Sequence, residues 1–262
     1  SFDDAQAALK EVFGDKAFSQ SVSLSAVNSI NLARVLAQCV YYIYAWLQLP
    51  DTRRAKTTFV VPTGNFGNVL AGWMASQMGM KVAGFRVATN QNDILDRFFS
   101  SGDYSVGDVE PSLAPSMDIQ IASNFERFLY YTLGEDPSKT RSTMQEIKER
   151  KAFSCADPKV LRSMSSSRMG DTEIRETVSS VYERYGYIAD PHTACGFKDL
   201  DSLEHCVILS TAHPAKFPEV VEEALGQVST HPILDALKKL DIVKSPLFPD
   251  AESIKAFIVS KQ

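Results

Sequence analysis

The stretch Thr57-Thr58-Phe59-Val60-Val61-Pro62-Thr63-Gly64-Asn65-Phe66-Gly67-Asn68 decides how this chain folds. Its first five residues are β-branched or aromatic and uncharged, which is the pattern of a buried strand. Pro62-Thr63-Gly64 then ends the strand in a turn. Residues 69–78 have helical character and stop at Gly79, and residues 81–88 read as another strand. Strand, glycine turn, helix, strand is a βαβ unit, which implies a parallel sheet and a right-handed crossover. A second junction of the same kind lies further on. There the apolar run 206–210 enters Thr211-Ala212-His213-Pro214, and a helix follows over residues 218–225. The class is α/β.

Upstream of the strand, residues 28–49 predict a long helix stopped by Pro50. Its apolar positions nearly encircle it, so it is expected to be largely buried. Residues 19–25 are serine-rich and read as a linker or domain crossing. Before them, Asp3 and Asp4 open an amphipathic helix that ends at Gly14. Downstream, residues 100–186 read mostly as helices and loops, with helices over 121–133, 143–151 and 173–185.

The chain has 262 residues, 44% of them hydrophobic, enough to bury a sizeable core. A net charge of -5 without a basic run argues against nucleic acid and against an anionic membrane surface. The longest apolar stretch, residues 35–49, is interrupted by Gln38 and Gln48 and is short for a bilayer. No secretory signal is visible, and a start at Ser1 without methionine leads us to expect a truncated or processed N-terminus. Cys39, Cys155, Cys195 and Cys206 form no CxxC pair, so reduced thiols in the cytoplasm are expected. Cys39 and Cys206 read as small buried hydrophobes. His192 and His213 each adjoin a proline without metal-ligand spacing and read as packed histidines at strand ends; no metal site is expected. Glu126 and Arg127 read as an ion pair.

Gly64-Asn65-Phe66-Gly67-Asn68 sits where a strand gives way to a helix. N–H groups there have no intrahelical partner and the helix dipole favours an anion. Two glycines permit close approach and left-handed backbone. The chemistry points to a cup of main-chain donors for a phosphate monoester. Such turns are also common in α/β folds without any ligand, and the spacing alone leaves both possibilities open. Thr211 follows a strand's carboxyl end, where open α/β sheets place ligands; it, or Ser210, is equally placed to cap the next helix. Asn28 is a candidate N-cap for the long helix.

Several short motifs, in order, resemble those of threonine synthases, fold-type II pyridoxal-phosphate enzymes related to the tryptophan synthase β chain. They include Phe2-Asp3-Asp4-Ala5-Gln6, Asn28-Ser29-Ile30-Asn31 with Arg34, Val61-Pro62-Thr63-Gly64-Asn65-Phe66-Gly67-Asn68, Asn124-Phe125-Glu126-Arg127, Asp190-Pro191-His192-Thr193-Ala194, and Ser210-Thr211-Ala212-His213-Pro214-Ala215-Lys216-Phe217. The resemblance implies the C-terminal half of such an enzyme. Residues 1–20 would be the tail of a small N-terminal domain. Residues 21–262 would be a three-layer large domain with a mostly parallel sheet, carrying a mostly helical insertion over about 100–186. It further implies that Gly64, Asn65, Phe66, Gly67 and Asn68 hold the phosphate of pyridoxal phosphate, with the Thr211 hydroxyl at the pyridine nitrogen. Asn28, Asn31 and Arg34 would face the substrate side, although Arg34 is equally able to pair with a structural acid. The implied reaction converts O-phospho-L-homoserine and water to L-threonine and phosphate. A phospholyase that omits the addition of water, and a non-catalytic binding module, are the alternatives.

The family's Schiff-base lysine stands in a Phe-Lys-Asp triplet, and this chain contains Phe197-Lys198-Asp199. The triplet follows Pro191-His192-Thr193-Ala194, whereas the family's lysine lies well upstream of the glycine cup. Lys198 is therefore read as a helix-surface lysine. The chain by itself is expected to be inactive unless the N-terminal half joins it as a partner.

Overall fold

The computed structural model describes residues 2–25 and 31–261, with side chains from residue 8 onward. Its strands Thr57–Pro62 (β1), Gly84–Thr89 (β2), Ser165–Arg168 (β3) and His205–Ile208 (β4) form one sheet in the order β3-β2-β1-β4. Every pairing is parallel: Phe59 stands beside both Phe85 and Val207, and Val87 beside Ser166. Helices Phe2–Gly14 (α1) and Lys16–Ser21 (α2) come first; those that position the site are Leu32–Gln48 (α3), Gly67–Gln77 (α4) and Phe125–Thr132 (α5). Asp171–Tyr185 (α6), Pro191–Ala194 (α7) and Pro218–Leu225 (α8) complete the set.

The alternation along β1 explains the layering. Phe59 and Val61 point to one side and pack with Tyr42 of α3 and Val69 and Leu70 of α4. Val60 points to the other side, where Ile174, Val178 and Val181 of α6 join Ala88 of β2. Helices therefore cover both faces of a parallel sheet, as the burial of β1 along its whole length requires. Each fully buried aliphatic or aromatic side chain contributes about 1.5–3 kcal/mol. The α3–α4 contact is close because Gly72 lacks a Cβ, which would stand 2.4 Å from the Tyr42 ring. Tyr42 ends that contact with a hydrogen bond from its hydroxyl to Asn68 O at 2.9 Å and Oδ1 at 2.7 Å.

Several expectations are corrected. α3 is not largely buried: Val35, Cys39 and Tyr42 are, but Val40 is 61% and Tyr44 65% exposed. The serine-rich stretch is partly helical, because Asp15 caps α2 by accepting from Phe18 N–H at 3.0 Å. The stretch 100–186 also contributes β3, whose sequence Ser-Ser-Ser-Arg carries no apolar signal. It pairs because β2 presents an unpaired backbone edge beside it. Cys206 is exposed rather than buried, since β4 is an edge strand; Cys39, Cys155 and Cys195 are buried, and all four are free.

Candidate functional site

The site forms where β1 leaves the sheet. Thr63 N–H still donates to Ala88 O at 3.0 Å, and the chain then turns through residues 64–66 into α4. Phe66 adopts left-handed backbone, φ 63° and ψ 0°. A residue with a Cβ pays about 1–2 kcal/mol for that conformation. Its ring compensates: it is wholly buried, with centroids 5.4 Å from Phe125, 5.3 Å from Phe128 and 6.1 Å from Phe99. Asn124 secures the turn from the side, its backbone N–H and Nδ2 both donating to Asn65 O at 3.1 and 3.0 Å. The first hydrogen bond of α4 runs from Leu70 N to Phe66 O. Among the described residues, the N–H groups of Gly64, Asn65, Phe66, Gly67 and Asn68 have no acceptor, and no side chain caps the helix. That set of unpaired donors at a helix N-terminus matches the needs of a phosphate dianion.

Gly64 closes one wall by close approach. A Cβ there would stand 3.0 Å from Met117 Cα and 3.3 Å from Ser116 O. The opposite wall comes from the segment after β4. A cavity of about 280 Å³ is lined by Thr63, Gly64, Asn65, Gly67 and Asn68 on one side and by Thr211, Ala212, Lys216 and Phe217 on the other. Gln38, Pro62, Ser116, Met117 and His192 complete it. Phe66, wholly buried, does not line it.

One buried carboxylate organises both walls. Asp190, fully buried, caps α7 and accepts from the backbone N–H of His192 at 2.9 Å and of Thr193 at 3.3 Å. It also accepts the Thr193 hydroxyl proton, and its Oδ1 lies 3.1 Å from His192 Nδ1. Burial pushes this carboxyl up, but the hydrogen bonds from His192 and Thr193 outweigh it and hold Asp190 below the usual carboxylate range. His192 Nε2 accepts from Ser116 N–H at 3.1 Å, so the ring proton sits on Nδ1 and faces Asp190. Thr193 Oγ1 in turn accepts Thr211 N–H at 3.1 Å. Because the Thr193 proton is given to Asp190, Thr211 O–H is the donor in the long 3.4 Å contact between the two hydroxyls, and rotation about its Cβ–Oγ1 bond turns that proton from Thr193 toward a ligand.

The remaining candidates fall elsewhere. Asn28 lies outside the described residues. Asn31 is the N-cap of α3, its Oδ1 accepting from Ala33 N–H at 3.0 Å, and Arg34 lies in the first turn; neither lines the cavity. Thr211 caps no helix; His213 caps the short turn Pro214–Lys216 instead. His192 sits in α7 against the cavity rather than at a strand end. Glu126 and Arg127 do not line this cavity, and Arg127 donates to Asn124. Lys198 is not on a helix surface: it follows a 3-10 turn, and Arg86 holds its loop through Asp199 O at 2.9 Å and Ser202 Oγ at 2.8 Å. Its ammonium pairs with Glu173, which raises its pKa, and it lines a separate hollow beside β3. Gln38 and Lys216 were not singled out from sequence. The Asp190-Pro191 pair did carry a signal, an N-cap followed by proline at the first helical position.

A family profile described as threonine synthase, C-terminal, matches residues 193–258. Threonine synthase of Saccharomyces cerevisiae is 41% identical over 278 residues, covering 94% of this chain and 54% of the relative. The Pseudomonas aeruginosa threonine synthase is 42% identical over 240 residues, covering 88% and 51% respectively. Among solved structures, the PLP-bound threonine synthase of Brucella melitensis matches with a TM-score of 0.85 at 40% identity, over 98% of this chain and 57% of that one. The yeast threonine synthase structure gives 0.81 at 36% identity, over 100% and 58%. The chain thus spans about half the length of the curated relatives it matches. Its core, its sheet and the cavity between the β1 and β4 junctions all lie within these alignments, and the chain belongs to the threonine synthase family, with the fold-type II architecture.

Proposed function

We propose that this chain is the cofactor-phosphate-binding portion of a threonine synthase that converts O-phospho-L-homoserine and water to L-threonine and phosphate. The observation that carries it is the single cavity shared by the turn at residues 64–68 and Thr211. Pyridoxal phosphate, when bound, supplies an electron sink for breaking bonds beside an amine-bearing carbon.

The roles of the chain's own groups follow from their geometry. The N–H groups of Gly64, Asn65, Phe66, Gly67 and Asn68 grip the phosphate without needing a cation, and Asn124 keeps the turn in shape. Thr211, held through its N–H by Thr193, donates its hydroxyl to the pyridine nitrogen. A neutral donor leaves that nitrogen largely unprotonated, which moderates the sink and suits elimination and replacement. For Asn31 and Arg34, which do not line the cavity, it is the family resemblance and not a place in the site that supports a role toward the substrate's anionic groups, with Asn28 beside them in sequence. We assign the lysine that holds the cofactor to the portion that the relatives have beyond this chain's share, so these 262 residues alone are expected to be inactive. The free cysteines fit a reducing cytoplasm, and no helix among the described residues is long and apolar enough to cross a membrane.

Equilibrium dialysis tests the binding. Pyridoxal phosphate is expected to bind at least about 100-fold more tightly than pyridoxal, which lacks the phosphate. Equal affinity for the two, or none for either, sinks the reading. Incubating the chain together with the remaining portion of a threonine synthase and O-phospho-L-homoserine tests the reaction: threonine supports it, and 2-oxobutyrate in its place indicates the phospholyase.

A further inference from the structure

Gln38 lines the cavity beside Gly67 and Asn68. Its Oε1 is enclosed by protein and has no hydrogen-bond partner among the described residues. An amide oxygen buried without a donor is unfavourable, so this side chain is kept at a cost to stability that calls for a role at the cavity it lines. The position is fixed from one turn away, where Tyr42 on the same face of α3 bonds both Asn68 O and Asn68 Oδ1. Gln38 is thereby held against the first turn of α4, whose unpaired N–H groups form the anion cup.

We propose that the side-chain amide of Gln38 is a further phosphate ligand, donating an Nε2–H to the phosphate held by residues 64–68; the inference rests on the cofactor-binding role proposed above. The enclosed Oε1 is out of the ligand's reach, but Nε2 is not among the enclosed unpaired atoms and makes no hydrogen bond to the described residues, so it is the end of the amide that meets the cavity. A phosphate oxygen arriving in the cup gives that NH₂ its acceptor. The choice of a neutral amide continues the character of the cup, whose donors are all main-chain N–H groups. The buried oxygen is a cost to stability while the nitrogen of the same amide serves the ligand, so stability and binding oppose each other at this position.

Three measurements on the 262-residue chain test the proposal: affinity for pyridoxal phosphate, affinity for pyridoxal, and thermal midpoint without ligand. Gln38→Met keeps the length and removes both polar ends. It is expected to weaken pyridoxal phosphate binding by about 10- to 100-fold, to leave pyridoxal binding unchanged and to raise the unliganded midpoint by a few degrees. Gln38→Glu, with acceptors only and a negative charge, is expected to bind pyridoxal phosphate more weakly than Gln38→Met. Unchanged pyridoxal phosphate affinity in Gln38→Met overturns the proposal, as does equal loss of affinity for pyridoxal, tighter binding by Gln38→Glu, or a lowered midpoint. If the unsubstituted chain binds neither compound, the cofactor-binding role itself fails. If it binds and the variants bind equally well, only the assignment of Gln38 fails.

Discussion

Gly64 has no room for a side chain, because the nearest atom to a Cβ would be backbone rather than a flexible group. Gly64→Ala is expected to displace the segment 115–117 and weaken pyridoxal phosphate binding about 10-fold or more, read by dialysis, while the fold survives. Asp190 carries a second prediction. Its carboxyl lies below its ordinary value of 3.8 in the folded protein, so its contribution is fully present above that pH and is lost as the pH falls through the lower folded value. Asp190→Asn is expected to destabilise the chain by about 1–3 kcal/mol at neutral pH and to flatten the acid limb of the stability profile, measured by urea unfolding at several pH values. Lys216 is the lysine lining the cavity, and Lys198 pairs with Glu173 elsewhere. Borohydride reduction after incubation with pyridoxal phosphate is expected to add no mass to this chain; a covalent adduct on either lysine contradicts the placement of the cofactor lysine in the remaining portion. At this scale the place of the turn was legible from its glycines but its backbone was not: the left-handed conformation falls to Phe66, whose ring burial stabilises it, and neither Gly64 nor Gly67 takes it. The Phe197-Lys198-Asp199 triplet was set aside from its order in the chain; that Arg86 and Glu173 hold its loop was not legible there. The partnership of Asp190 with Thr211 depends on side-chain contacts that no local pattern encodes.

Among the elements, α3 does the most to shape the site and is the one whose reading changed most. Its inner face ends in Tyr42, fully buried, and Tyr42→Phe removes the bonds to Asn68 while keeping the ring. A loss of about 1–2 kcal/mol in urea unfolding is expected, together with weaker pyridoxal phosphate binding. The outer face presents Leu36, Val40, Tyr44 and Leu47, each more than two-fifths exposed. A contiguous apolar row of this kind promotes association. Val40→Lys with Tyr44→Lys is expected to reduce binding of a hydrophobic dye and self-association in sedimentation, with little change in unfolding free energy. The helix was legible from its apolar run and Pro50, but an apolar circumference does not say which side finds a neighbour within these residues. β1, β2 and β4 were legible from β-branched runs. β3 was not, because a polar edge strand owes its form to the strand beside it rather than to its own side chains.

For the molecule as a whole, the parallel sheet is what makes one site out of distant segments. Parallel neighbours bring their carboxyl ends to the same edge, so the loop after β1 and the loop after β4 meet although about 140 residues separate them. Sequence alone showed two strand-to-helix junctions of one kind but not that they are adjacent, since strand order depends on packing rather than on local propensity. This order has a further consequence for biosynthesis. A ribosome adding about 5–20 residues per second delivers the phosphate-gripping turn roughly 7–30 seconds before the threonine that faces it. Throughout that interval the flank of β1 that β4 will occupy offers unpaired amides and carbonyls to any passing strand. The nascent chain is therefore open to clumping between the synthesis of β1 and that of β4, and a factor that shields emerging polypeptides would serve it in that interval.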